Sequence, residues 1–262
     1  MTDRVGDAAA QPTRGRPGRD GSTTGSDGTS SPASVDWRER AAQLLPTEHF
    51  TLQSARSITV SDSSSRANLY LSSVSISLVA LGLVAQTSDL GEAMRTFGLV
   101  LFPTLLFLGL ATFARVTQSA AEDLLYARGI NRIRHFYLEA APEAAPYFIL
   151  SAHDDAVGVM RNMAIRPSPW QRFLTTAGTI GVVNSVVAAV ATGIALDVAR
   201  LPVAVVLLVA LATFVASVVV HYRAEGTEFL KATAGLEVRF PSPAGAAGGA
   251  TAHEVAAAAT QA

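Results

Sequence analysis

Cysteine is missing altogether, so the chain can form no disulfide, use no thiolate nucleophile and offer no Cys ligand to a metal. Lysine is reduced to Lys231, and arginine carries nearly all the positive charge. Basic and acidic side chains almost cancel, to a net charge of −1. Nucleic-acid binding needs a basic surface that this balance does not supply, so no nucleic-acid partner is expected. The first residues lack the apolar core of a secretory signal, and no cleavable leader is expected. Also missing are the Walker phosphate loop and the dinucleotide fingerprint on a strand-turn-helix unit. No G-x-S-x-G or S-x-x-K places a serine for catalysis. The chain is therefore expected not to be an enzyme, and no cofactor is expected.

Charge is missing in a second sense, from long stretches of the chain. Residues 67–85, 173–196 and 201–220 contain no Asp, Glu, Lys or Arg, and 96–116 contains only Arg115, at its end. About 20 helical residues span roughly 30 Å, the thickness of the hydrocarbon core. Hydrophobic residues make up 49% of the chain, so four spans are affordable in composition. The link 197–200 between the last two spans is too short for anything but a tight turn. The expected fold is all-α and membrane-integral: four transmembrane helices as two hairpins, 67–116 and 173–222, joined by a cytoplasmic helical insert, 117–172.

The flanking segments follow from composition. Residues 1–34 are rich in Gly, Ser, Thr, Asp and Arg and poor in large apolar side chains, so they are expected to be a disordered tail. Residues 35–66 are expected to form cytoplasmic helices. Ser34 caps the first, Pro46 ends it, and Thr47 caps the second. The Ser61–Ser65 run reads as a cap or a wet face of the helix leading into the membrane. Residues 223–262 are expected to continue as a short helix to Val238 and then to be disordered.

Several patterns inside the spans carry chemistry. Asn68, Ser72, Ser75 and Gly82 share one face of the first span. Such a face turns towards other helices, where hydroxyls find partners; its other use is to line a pore. Pro103 removes a backbone hydrogen bond in the second span, and a hydroxyl such as Thr104 can take up the freed carbonyl. The third span places Ala177, Gly181, Ser185, Ala189 and Gly193 at every fourth position, a groove for close helix packing, with Asn184 beside it. Ala204, Ala212 and Ala216 on the fourth span are its expected complement. The spans read as free of buried Asp, Glu, Lys or His, which argues against ion-coupled transport.

The insert is amphipathic. Tyr126, Ile130, Ile133, Tyr137 and Ala140 recur on one face, with Arg128, Arg132, His135 and Glu139 on the other. Pro142 ends this helix, and a second is expected over 146–163. The acids Glu122, Asp123, Glu139, Glu143, Asp154 and Asp155 stand near His135 and His153. They lack the Glu-x-x-His spacing of a di-metal site, so no metal is expected and a solvated, salt-bridged surface is.

Arginine is concentrated in the two tails and the insert, and only Arg95 and Arg200 lie in the short links. Both termini are therefore expected to be cytoplasmic, with Tyr70, Trp170 and Tyr222 as an interfacial aromatic belt. The expected partners are the lipid bilayer and either a second copy of the chain or a membrane or cytoplasmic protein. The function these features suggest is a non-enzymatic multi-pass membrane protein acting through helix association. The alternative is a small channel or pore-forming effector lined by Asn68, Ser72 and Ser75, with Pro103 as its gate.

Overall fold

The computed structural model describes residues 37–87, 92–163 and 169–244, and every regular element among them is helical. The expected tail 1–34, the cap Ser34 and residues 245–262 lie outside the described residues. The helices are α1 (Trp37–Thr87), α2 (Glu92–Ala140), a 3₁₀ turn (Pro142–Tyr147), α3 (Ala156–Asn162), α4 (Pro169–Phe173), α5 (Thr176–Val198) and α6 (Val203–Ala234).

The first helix corrects the expected break at Pro46. α1 runs through it without interruption for 51 residues. Proline removes only its own N–H, leaving the Ala42 carbonyl without its helical partner, and Ala42 is exposed. Water can serve that carbonyl, which offsets part of the cost of a proline inside a helix. Ser61–Ser65 are likewise helical, and Asp62 there accepts from Arg66 at 2.9 Å. At about 1.5 Å per residue α1 is roughly 75 Å long, more than twice a hydrocarbon core.

α2 runs antiparallel beside it. As α1 passes Leu52, Arg56 and Tyr70, the residues it meets in α2 fall through Gly129, Asp123 and Gly109. Arg56 Nε donates to Asp123 Oδ1 at 2.6 Å. Pro103 lies inside α2, and the Thr104 hydroxyl bonds Val100 O at 2.8 Å rather than the carbonyl the proline frees. The helix stops at Ala140, two residues before Pro142.

The second insert helix is shorter than expected. Only Ala156–Asn162 is helical, whereas residues 148–154 are irregular. Pro146 sits in the 3₁₀ turn, and the Asp155 side chain caps α3 by accepting from Gly158 N at 2.8 Å. α5 also starts later than expected, because Thr175 caps it by accepting from Gly178 N. α6 is one helix to Ala234, after which 236–242 have no regular structure.

Three clusters hold these elements. Tyr70, Phe113, Val116 and Ile180 join α1, α2 and α5. Phe102, Leu105 and Val187 continue that seam. Leu124, Ala127 and Val159 form a core in the insert, against which Phe229 of α6 packs. The outside is a different surface. The most apolar stretch of α6 has mean hydropathy 3.0, and none of it is buried. Leu207, Leu208, Leu211 and Val220 all point outward. An apolar surface of that extent on a water-soluble monomer would be an aggregation site, whereas lipid solvates it. α1, α2, α5 and α6 are long and apolar enough to cross a membrane.

Candidate functional site

The first polar centre lies among the apolar helices. Asn184 is fully buried. Its Oδ1 accepts from Tyr70 Oη at 3.3 Å, and its Nδ2 lies 3.1 Å from His221 Nε2. An amide nitrogen only donates, so His221 Nε2 is the acceptor and Nδ1 carries the hydrogen. Nδ1 then donates to Ser217 O at 2.8 Å. Phe113 meets the His221 ring edge-on, 4.6 Å between centroids. Room for the Asn184 amide comes from Gly109: a Cβ there would overlap Asn184 Oδ1 and stand 2.6 Å from Tyr70 Oη.

This centre revises two expectations. Tyr70 belongs to no interfacial belt, since it is 1% exposed and bonded to Asn184. The apolar helices also contain an ionisable group, against the expectation that the spans hold none: His221, inside the expected hairpin 173–222, is buried. No spacing pattern marks it; the signal that could have found it is Asn184, which had to meet some polar group across an interface.

The five small residues of α5 lie as follows. Ala177, Gly181 and Ser185 are buried, while Ala189 and Gly193 are half-buried. Gly181 faces His221, and a Cβ added there would stand 3.1 Å from the His221 Cβ. Ser185 Oγ lies 2.9 Å from Ser217 Oγ. Gly193 faces Ala210 and Val206. On α1, Asn68, Ser72 and Ser75 are all exposed. Ser75 Oγ donates to Leu71 O of its own helix at 2.9 Å.

A second centre stands where a wet, ion-paired surface was expected. Asp154 is fully buried, not solvated. Its carboxylate accepts from Phe240 N at 2.8 Å, Arg239 N at 3.2 Å and Arg132 Nε at 2.6 Å. Arg132 also bonds Glu237 O, and Arg128 Nε donates to Asp154 O at 2.7 Å. Asp155 takes Ser242 N at 2.9 Å and Ser242 Oγ at 2.8 Å. Phe240 stacks on His135 with centroids 3.8 Å apart. Segment 236–242 is thus strapped along the polar face of α2. Burial alone would raise the Asp154 pKa, but the Phe240, Arg132 and Arg239 donors outweigh it and hold the carboxyl below its usual range.

Near the start of α5, Arg172 lies 3.6 Å over the Tyr222 ring and donates to Tyr222 O at 2.5 Å. Thr175 Oγ1 donates to Glu225 at 3.0 Å. Burial pushes the Glu225 carboxyl up, against the pull of Thr175 and Arg172.

The insert also holds a cleft of about 440 Å³ between α1, α2 and α3. Arg134 lines it and is 8% exposed. Its Nη1 donates to Asn131 Oδ1 and to Ser151 O, both at 2.8 Å. Asn162 fastens the same corner by accepting from Ser151 N at 2.6 Å. Burial, together with the Arg134 charge, pushes His49 below its usual range. Among the described residues, no three His, Cys, Asp or Glu side chains come together as metal ligands would. Compared with protein-family models, curated proteins and solved structures, the chain matches none of them.

Proposed function

We propose that this chain is a non-enzymatic multi-pass membrane protein that assembles with a second copy of itself through the α1 face bearing Asn68, Ser72 and Ser75. Its two antiparallel pairs, α1 with α2 and α5 with α6, cross the membrane as hairpins. The arginine-rich insert and both tails face the cytoplasm, as positive charge does in membrane proteins.

The observation that carries the reading is the exposure of Asn68, Ser72 and Ser75 within a charge-free stretch. Water is scarce there, and an amide facing lipid alone is unfavourable. The chain's own described helices leave this face uncovered, so the helix that covers it comes from another molecule. Gly82 on the same face has nothing within 4 Å of an added Cβ, so a neighbouring backbone can come close. The small-residue groove on α5 is less available, because Gly181, Ser185 and Gly193 already pack on α6.

The cysteine-free sequence makes the test direct. Ser72→Cys, oxidised in native membranes, is expected to give a disulfide-linked dimer. Leu208→Cys, on the exposed side of α6, is expected to stay monomeric. Equal cross-linking of the two variants would remove the basis of the proposal. The polarity of the stripe favours one second reading, a channel whose assembled copies are lined by Asn68, Ser72 and Ser75. Bilayer conductance that falls with Ser72→Leu would select the channel.

A further inference from the structure

Arg134 is a buried cation without a counter-charge. No carboxylate lies within ion-pair distance of it among the described residues, and its two hydrogen bonds both leave from Nη1. The other arginine lining the cleft differs. Arg56 is neutralised by Asp123 at 2.6 Å and 3.2 Å. An isolated guanidinium taken out of water is strongly unfavourable unless an anion joins it.

The cleft is built to admit one. Asn131 and Ser151 grip one side of the guanidinium and fix its plane, and Asn162 braces them through Asn131 Oδ1 at 2.8 Å. That leaves Nε and Nη2 as an unused pair of donors, the geometry that binds an oxyanion through two oxygens. Across the cleft α1 offers the Ser57 hydroxyl. Three donors suit the three oxygens of a phosphate group. Val60, Ile130, Leu150, Val159 and Met163 complete the walls and give an attached apolar body a surface to cover. The cavity volume is within the range of small-molecule sites.

We infer that the cleft between α1, α2 and α3 binds an organic phosphate, its phosphate seated on Arg134 and Ser57 and its apolar part on the surrounding aliphatic walls. The source is a soluble phosphate ester or the head of an anionic lipid, and the two are separable. This site is independent of the assembly face on α1, which lies beyond Arg66 on the apolar part of the helix.

The test uses the full chain in neutral detergent, titrated with phenyl phosphate and, separately, with short-chain phosphatidic acid in the micelle. Saturable binding of either probe is expected. Binding of phenyl phosphate assigns a soluble ester, and binding of phosphatidic acid alone assigns a lipid head. Arg134→Gln is expected to weaken binding at least tenfold. Because Arg134 also fastens Ser151, Ser57→Glu serves as the second variant: it leaves that corner intact and places a carboxylate where the phosphate would sit. It too is expected to lose binding at least tenfold while unfolding at the wild-type temperature. Absence of binding by both probes at millimolar concentration would overturn the inference, and so would binding that neither substitution changes.

Discussion

Asp154 shows how little a residue's neighbours in sequence reveal of its work. Beside Asp155 and His153 it reads as part of an acidic surface run, yet it is fully buried and takes three N–H donors. Two of those donors are main-chain groups some 85 residues away, and no local pattern announces them. Asp154→Asn keeps the shape, loses the charge and turns one donor towards the Arg239 and Phe240 amides. We expect the strap to loosen by about 2–3 kcal/mol, the worth of hydrogen bonds to a charged group. Tryptic cleavage after the exposed Arg239 side chain at neutral pH would then speed up roughly a hundredfold. The pH response follows from the direction of the shift. A carboxyl held below its usual range stabilises the bound strap fully above about pH 4, the ordinary carboxylate value, and loses that contribution as pH falls through its depressed value. Amide exchange over 239–242, corrected for the intrinsic rate, is expected to stay slow down to about pH 4 and to rise only below it.

Helices were the most legible scale, and their limits show where reading by pattern stops. The four apolar helices follow from missing charge, and the stop at Ala140 follows from Pro142. Pro46 misleads because part of its effect is a lost hydrogen bond, and an exposed carbonyl can satisfy itself with water. The expected helix over 146–163 fails because Arg128, Asn131 and Arg134 bond the carbonyls of Asp154, His153 and Ser151, holding that chain open. On the polar face of α2 the distant strap covers Arg128 and half-buries Arg132 and His135, while Glu139 stays exposed. Spacing also picks out glycines without weighing how closely they are packed. Gly193 belongs to a regular series yet has an ordinary contact, 3.9 Å from an added Cβ to Ala210. Gly109 belongs to no series, yet a Cβ there runs into the Tyr70–Asn184 pair. Gly109→Ala is therefore expected to destabilise the helix assembly by about 1–3 kcal/mol, the usual result of overpacking. Gly193→Ala should be neutral or up to about 1 kcal/mol stabilising, through helix propensity. Unfolding of the purified protein in mixed micelles would separate the two, and equal effects would refute this account of α2 packing.

At the scale of the whole molecule, charge is sorted to the ends of the apolar helices. One end carries the ion pair between Arg95 Nε and Asp197 Oδ2 at 2.7 Å, and Arg200 with its left-handed φ of 58° in the turn to α6. The other end carries Arg66, Arg115, Arg172 and Arg223, and beyond them the insert with its cleft and strap. The proposed direction of insertion rests on this imbalance in arginine, because cytoplasmic loops retain positive charge. Side can be read chemically, since the sequence offers no thiol of its own. Ile149, 93% exposed in the insert, and Ala199, exposed in the turn, sample the two ends. In intact cells a membrane-impermeant maleimide is expected to label Ala199→Cys and to spare Ile149→Cys, with both labelled once the membrane is broken. The opposite pattern would place the cleft and the strap outside the cell, and a soluble cytoplasmic phosphate ester could then no longer be the ligand of Arg134.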